Sequence, residues 1–224
     1  MKLQFKKQQY QLDAVNSVAD AFLGQPHNDG TAYRIDPGLW KNGQIRMSQG
    51  EDMGLRNADI LLTHQQLLEN VQKIQRQGGL KESLELKDSI AAPNVPNLDI
   101  EMETGTGKTF VYIKTIMELN RRFGWSKFII VVPSIAIREG VKKTFEVTAD
   151  HFKQEYGTSP RAFVYNSSRL NEIEAFSENT GVQVMIINIQ AFNSTGKRVS
   201  DSLCAEAWFT SNPRIGRGTP QLVG

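Results

Sequence analysis

The sequence predicts an α/β fold with a mostly parallel sheet and crossover helices, and three observations support this prediction. After the turn-forming run at residues 92–97, four short apolar runs alternate with segments of helical periodicity. Two of these runs, residues 128–132 and 184–187, are apolar without alternation, which is typical of strands covered by helices on both faces. A glycine-rich loop at residues 103–109 stands between the first run and the first helix.

The residues before this region are predicted to be partly helical and partly irregular. Apolar residues at helical spacing predict an amphipathic helix over about residues 8–23, which Gly24 ends. Residues 25–54 are rich in Gly, Pro, Asn and Asp. This composition predicts an irregular segment, with one short strand around residues 44–47.

The other elements follow from capping and periodicity. Thr63, with Gln66 three positions on, has the pattern of a capping box and predicts a helix to about residue 77. The four predicted strands are residues 98–102, 128–132, 162–165 and 182–189. The helices between them are predicted around residues 113–123, 137–145 and 170–176.

Composition places the chain among soluble globular proteins. Its 224 residues are 39% hydrophobic and 22% charged, and the net charge of +2 is too small for wholesale neutralisation of nucleic-acid phosphates. Any contact with DNA must therefore come from a local basic patch. The single cysteine, Cys204, excludes an internal disulfide framework. With no signal-like start and no run of about 18 apolar residues, we expect a cytoplasmic protein without a membrane segment.

The loop between the first predicted strand and helix carries the clearest chemical signal. Residues 98–109 are Leu-Asp-Ile-Glu-Met-Glu-Thr-Gly-Thr-Gly-Lys-Thr. Gly105 and Gly107 allow backbone N–H groups to approach phosphate oxygens, Lys108 supplies a positive charge, and the Thr109 hydroxyl can bind Mg2+. The candidate ATP-binding residues are Thr104, Gly105, Thr106, Gly107, Lys108 and Thr109. Of these, Lys108 and Thr109 are the candidate catalytic residues, and Thr109 is the candidate metal ligand.

Met102 stands where the usual phosphate-loop pattern has its first glycine. Many superfamily 2 helicases replace that glycine, so the loop resembles their first motif more than the loop of a kinase or GTPase. The alternative is a Gly-Thr turn followed by a solvent-facing lysine. The coincidence of strand, loop and helix at this point disfavours that alternative.

Gln11 is a candidate for reading the adenine base. In superfamily 2 enzymes a glutamine near the start of the domain recognises adenine through its two-sided amide, and Gln11 resembles it. The alternative is a surface glutamine, since Gln4, Gln8 and Gln9 lie close by in the chain. The residues leave both interpretations open.

Two strand ends are candidates for contacting DNA. Residues 131–138, Val-Val-Pro-Ser-Ile-Ala-Ile-Arg, resemble the helicase motif that follows the phosphate loop and touches the nucleic-acid backbone, and Asn188 and Gln190 end the last strand in a similar way. The candidate DNA-binding residues are Pro133, Ser134, Arg138, Asn188 and Gln190. The alternatives are an ordinary helix cap with a solvated basic face at the first end, and a buried strand followed by a polar turn at the second.

Three stretches together resemble one family. Residues 99–109, 127–141 and 185–189 are similar to the restriction (Res) subunit of type III restriction-modification enzymes, and the likeness spans roughly residues 3–193. The resemblance implies a RecA-like ATPase that uses ATP and Mg2+. It also implies ATP-driven communication along double-stranded DNA and cleavage in complex with a modification (Mod) methyltransferase subunit that recognises the site.

We predict three parts: an N-terminal segment at residues 1–97, a partial RecA-like ATP-binding domain at residues 98–197, and a tail at residues 198–224 without family resemblance. Motor ATPases of this kind need an acidic pair after the last strand to hold Mg2+ and position water, and the sequence contains no Asp-Glu dipeptide. The expectation is therefore a truncated or frame-shifted Res subunit that binds ATP weakly and is inactive alone.

Three other functions stay open at this point. One is a fragment of a different superfamily 2 DNA helicase. Another is a non-catalytic nucleotide-binding or interaction protein that docks on the modification subunit. A small-molecule P-loop kinase is disfavoured, because its loop usually follows the first strand of the chain, whereas 97 residues precede Leu98 here.

Overall fold

The computed structural model describes residues 6–34, 53–89, 92–166, 169–188, 207–210 and 221–223. The helices in these parts are α1 (Gln9–Asp20), α2 (His64–Gln77), α3 (Lys108–Phe123), α4 (Ile135–Tyr156) and α5 (Leu170–Glu178). The strands are β1 (Thr31–Arg34), β2 (Met53–Arg56), β3 (Asp88–Ser89), β4 (Ala92–Pro96), β5 (Asp99–Glu101), β6 (Lys127–Val132), β7 (Arg161–Val164), β8 (Gln183–Asn188), β9 (Ala207–Thr210) and β10 (Gln221–Val223).

All five predicted helices are confirmed, and their ends follow from capping. At the start of α2 the Thr63 hydroxyl accepts from the Gln66 N–H at 3.2 Å, while Gln66 Oε1 accepts from the Thr63 N–H at 2.9 Å. These two bonds form the predicted capping box. Helices α3 and α4 end at Gly124 and Gly157, whose φ angles of 78° and 76° lie in the left-handed region. The strand predicted around residues 44–47 lies outside the described residues.

The main sheet is parallel, as predicted. Its strand order is β7-β8-β6-β9, and every neighbouring pair is parallel. Strand β6 is buried along its whole length because both of its faces are covered. Phe128, Ile130 and Val132 pack with apolar residues of α3 and α4, whereas Ile129 and Val131 pack on the other face with Phe176 of α5. This two-sided burial explains the absence of alternation in the sequence.

The structure differs from the prediction at the strand before the glycine-rich loop. We expected residues 98–102 to join the parallel sheet, but β5 pairs antiparallel with β10 in a separate two-stranded sheet. The sequence of β5 is Asp-Ile-Glu, and all three residues are exposed. Two charged side chains out of three do not suit a central strand buried on both faces. The position next to β6, on the side away from β8, is occupied by β9 instead.

The N-terminal helix packs directly on α3. Ala14 and Val15 of α1 form a buried cluster with Met102 and Val111, and Ala19 belongs to the main core. The ends of the two helices are also tied by polar groups, because one Arg122 guanidinium donates to Asp20 at 2.6 Å and to Asn16 at 2.9 Å. The residues before the loop therefore share the core of the residues after it.

Asn57 connects the N-terminal segment to the sheet through hydrogen bonds. This buried side chain donates from Nδ2 to the Lys127 carbonyl at 2.7 Å and accepts from the Ser126 and Lys127 N–H groups at 2.8 and 2.9 Å. Beside it, the Trp125 indole donates to the Ala58 carbonyl at 3.2 Å. One amide thus satisfies three backbone groups at the start of β6.

None of the helices in the described ranges combines the length and the hydropathy required to cross a bilayer.

Replacing Asn57 with alanine is expected to lower the free energy of unfolding by about 2–6 kcal/mol, because two buried N–H groups lose their acceptor at a cost of about 1–3 kcal/mol each. Urea unfolding measures the change. The matched control is Asn97→Ala, at an exposed asparagine, for which we expect a change within about 0.5 kcal/mol. Equal losses in the two variants would contradict the role given to Asn57.

Candidate functional site

The glycine-rich loop turns between β5 and α3 with one face open. Gly105 and Gly107 both have φ of 84°, in the left-handed region that favours glycine. The Thr106 hydroxyl donates to the Glu103 carbonyl at 2.7 Å and closes the loop on itself. A Cβ built on Gly105 would meet no heavy atom within 4 Å, so space is open on that side of the loop.

The start of α3 has the properties of an anion site. No side chain caps this helix, and its first turn contains no acidic residue. The N–H groups of a first turn have no partner within the helix, and together with the helix dipole they favour a negative charge. Lys108 and Thr109 lie half-buried at this end, and Lys108 forms no ion pair with any other described residue. The loop and helix start therefore fit the phosphate tail of a nucleotide.

The fit to Mg2+ rests on one side chain. The Thr109 hydroxyl is the candidate ligand at the start of α3, and Mg2+ usually takes few protein ligands while keeping waters and substrate phosphates. Within the described ranges, no group of three His, Cys, Asp or Glu side chains is placed to hold a metal ion. A metal here would be held by Thr109 and the phosphates themselves.

Gln11 lies on the loop. Its Nε2 donates to the Thr106 carbonyl at 2.9 Å, and a Cβ built on Gly107 would lie 2.7 Å from the same nitrogen. The side chain is half-buried, unlike the exposed Gln9. The structure thus brings Gln11 to the predicted phosphate loop, and its role toward adenine stays a prediction.

Sequence reasoning missed Tyr10. Its hydroxyl donates to the same Thr106 carbonyl at 3.2 Å, and its ring packs against the cluster formed by Ala14, Val15, Met102 and Val111. The available signal was an aromatic residue directly before Gln11 in the first turn of α1. Nothing in the sequence indicated that its hydroxyl would reach a residue 96 positions away.

A charged cluster beside the loop joins α3, α4 and the residues before α1. Lys114 of α3 is buried at 4% exposure and donates to Glu155 of α4 at 2.7 Å and to the Tyr156 hydroxyl at 3.1 Å. Lys7, which precedes α1, also contacts Glu155 at 3.3 Å. Burial opposes ionisation of the Glu155 carboxyl, but the hydrogen bond and charge of Lys114, aided by Lys7, bring its pKa below the ordinary value.

A shallow pocket lies between α3, α4 and the start of α1 with the residues before it. Gln11, Phe110 and His151 are among its lining residues. The rings of Phe110 and His151 are 5.6 Å apart. Burial lowers the pKa of His151, and the charge of Glu155 offsets this shift only in part, so the neutral form of the ring is favoured. The pocket therefore offers aromatic surface close to an amide that contacts the loop.

The two predicted DNA-contacting strand ends lie side by side. Strands β6 and β8 pair in parallel with Val132 opposite Asn188, so the chain leaves both strands at the same edge. Ser134 caps α4 and accepts from the Ile137 N–H at 3.3 Å. Pro133 is exposed, and Asn188 is half-buried. Gln190 lies outside the described residues.

Arg138 is less available than the sequence suggested. Its side chain is 20% exposed and forms a salt bridge with Glu139 at 2.9 Å, so part of its charge is neutralised. One turn further along α4, Lys142 is half-buried and Lys143 is exposed.

The glycine-rich loop shares this edge of the sheet. Helix α3 starts at the loop, and residues 124–126 connect its end to the start of β6. Because so short a connection reverses the chain, the first turn of α3 lies at the same end as the carboxyl end of β6. Ligands of parallel α/β sheets bind at this end. The structure therefore groups the loop, Ser134 and Asn188 along one edge.

Comparisons with known proteins agree on one family. The family model described as "Type III restriction enzyme, res subunit" matches residues 4–208. The chain is 38% identical over 117 residues to the type III restriction-modification enzyme EcoPI Res subunit of Escherichia phage P1, covering 51% of this chain and 12% of that protein. It is also 38% identical over 135 residues to the EcoP15I Res subunit of Escherichia coli, covering 59% of this chain and 13% of that protein. The chain thus matches about an eighth of the length of these relatives.

A third relative is the StyLTI Res subunit of Salmonella typhimurium, which is 34% identical over 123 residues, covering 47% of this chain and 12% of the relative.

Alanine at Gly105 and at Gly107 is expected to have different costs. Both substitutions place a side chain at a left-handed φ, at about 1 kcal/mol. Only Gly107→Ala also displaces the Gln11 amide from the Thr106 carbonyl, which adds about 1 kcal/mol. Urea unfolding of both variants, repeated in a Gln11→Ala background, measures this coupling. We expect the extra cost of Gly107→Ala to vanish in that background, and its persistence there would show that Gln11 is not the cause.

Proposed function

The chain belongs to the family of type III restriction enzyme res subunits, and from this membership we propose that it supplies the ATP-binding part of such a subunit. The family match selects this subunit over the other superfamily 2 helicase and the small-molecule kinase that the sequence left open. The observation that carries the proposal is the uncapped start of α3 behind two left-handed glycines, Gly105 and Gly107.

In this proposal each loop residue has a defined task. The N–H groups of residues 105–109 donate hydrogen bonds to the phosphate oxygens of ATP, with Thr104 and Thr106 framing the turn. Lys108 neutralises charge on the terminal phosphates, and Thr109 holds Mg2+ through its hydroxyl. When bound, the metal would supply positive charge that offsets the charge of the phosphates while the terminal phosphoryl group is transferred to water. Lys108 and Thr109 are accordingly the proposed catalytic residues.

The proposed place for the adenine is the shallow pocket beside the loop. Gln11 lines this pocket and also contacts the loop through Thr106. Because Nε2 of Gln11 is engaged by the carbonyl, Oε1 is the amide atom suited to accept from the exocyclic amine of adenine. Phe110 and the neutral ring of His151 supply aromatic surface in the same pocket.

We further propose that the edge formed by the ends of β6 and β8 contacts the backbone of double-stranded DNA. Pro133, Ser134 and Asn188 present the start of α4 and a polar strand end there, and Gln190 belongs to the same proposed contact. Helix N–H groups and a basic side chain at a helix start are common phosphate contacts. Arg138 supplies that positive charge once a phosphate competes with Glu139 for it.

The activity of the whole enzyme is proposed by analogy with the relatives, whose names describe restriction-modification enzymes. In that setting ATP hydrolysis drives movement along DNA and endonuclease action, with a modification methyltransferase subunit as the partner that recognises the site.

Lys108→Ala is expected to weaken the binding of ATP with Mg2+ by about 10- to 100-fold, because a charge-assisted hydrogen bond to phosphate contributes about 1.5–3 kcal/mol. Isothermal titration calorimetry measures the affinity. Lys73→Ala, at an exposed lysine of α2, removes the same charge away from the loop and is expected to bind like the wild type. Failure of the wild type to bind, or equal binding by Lys108→Ala, would overturn the assignment of the loop.

Arg138→Ala is expected to weaken binding of a mixed-sequence DNA duplex and to reduce the slope of log affinity against log salt by about one, because one phosphate contact is lost. Fluorescence anisotropy at several salt concentrations gives both quantities. Arg76→Ala changes the net charge equally at an exposed arginine of α2, which is paired with Glu82. If both variants lower the slope alike, the effect is one of net charge and the DNA-contacting edge is misassigned.

A further inference from the structure

We infer that Tyr10 is a positioning residue for the phosphate loop, and that its hydroxyl fixes the orientation of the peptide between Thr106 and Gly107. This inference rests on the proposed binding of a nucleotide by that loop. The Thr106 carbonyl accepts two hydrogen bonds from α1, one from the Tyr10 hydroxyl at 3.2 Å and one from Gln11 Nε2 at 2.9 Å.

The carbonyl matters because of what shares its peptide group. A trans peptide is planar, so the Thr106 C=O and the Gly107 N–H point in opposite directions. Holding the carbonyl toward α1 therefore aims the Gly107 N–H away from α1. That N–H precedes the first turn of α3 and is one of the donors proposed to receive phosphate oxygens.

This peptide needs external support. Gly107 has no Cβ and adopts either sign of φ at little cost, so rotation of the peptide plane meets little local resistance. The Thr106 hydroxyl donates to the Glu103 carbonyl. It is therefore not a donor to the Thr106 carbonyl, which other groups hold. The two donors on α1 supply the missing restraint.

Tyr10 is the better fixed of the two donors. Its ring packs with Ala14, Val15, Met102 and Val111, and α1 is itself clamped to the end of α3 by Arg122. Gln11 also lines the shallow pocket, where its amide is proposed to face a base. Tyr10 therefore keeps the peptide oriented whether or not Gln11 is engaged by the nucleotide.

The test is Tyr10→Phe, which keeps the ring and removes only the donor. Affinities for ATP with Mg2+ and for inorganic triphosphate with Mg2+ are measured by calorimetry. We expect both to fall by the same factor, about 3- to 10-fold, because the loss acts on the phosphate site and not on the base. The backbone amide resonance of Gly107 is expected to shift in the same variant. A tyrosine that served folding alone would change the unfolding midpoint and leave both affinities and the resonance unmoved.

The matched control is Tyr165→Phe. Tyr165 packs against the apolar cluster on the opposite face of the sheet, and we expect its variant to bind both ligands like the wild type. Wild-type affinity for triphosphate in Tyr10→Phe overturns the inference while leaving the proposed function intact. A fall for ATP alone would also overturn it, since it would place Tyr10 at the base. If the wild type binds neither ligand, the proposed function fails and this inference fails with it.

Discussion

The orientation of one peptide group, between Thr106 and Gly107, is the constraint on which the site depends. For the proposed function the loop must be open enough for N–H groups to face an anion, and Gly105 and Gly107 provide that freedom at left-handed φ angles. Freedom of this kind also permits unproductive orientations. The chain limits them from outside the loop, because donors on α1 hold the Thr106 carbonyl.

Elements before the loop support this arrangement. The strand that leads into the loop is exposed and lies outside the parallel sheet, so it is a weak support. Helix α1 packs on α3 through apolar residues, Arg122 ties the two helices, and Asn57 fastens the following segment to the start of β6. The N-terminal segment thus completes the layer that carries the site.

The sequence was a good guide to local structure and a poorer guide to distant contacts. Periodicity, the Thr63 capping box and terminal glycines predicted all five helices, and unbroken apolar runs predicted β6 and β8. The pairing of β5 with β10 and the contact of Lys114 with Glu155 were not predicted, because neither has a periodic or local signature. The same limit hid Tyr10, whose ring suits a core and whose hydroxyl contact depends on the tertiary fold.

The most direct test of the account is amide hydrogen exchange of the loop, measured with and without a non-hydrolysable ATP analogue and Mg2+. Slower exchange is expected at the backbone amides of residues 105–109 when the analogue is present, because those N–H groups are proposed to bind phosphate oxygens. Unchanged exchange across these residues, with protection appearing elsewhere in the chain, would contradict it.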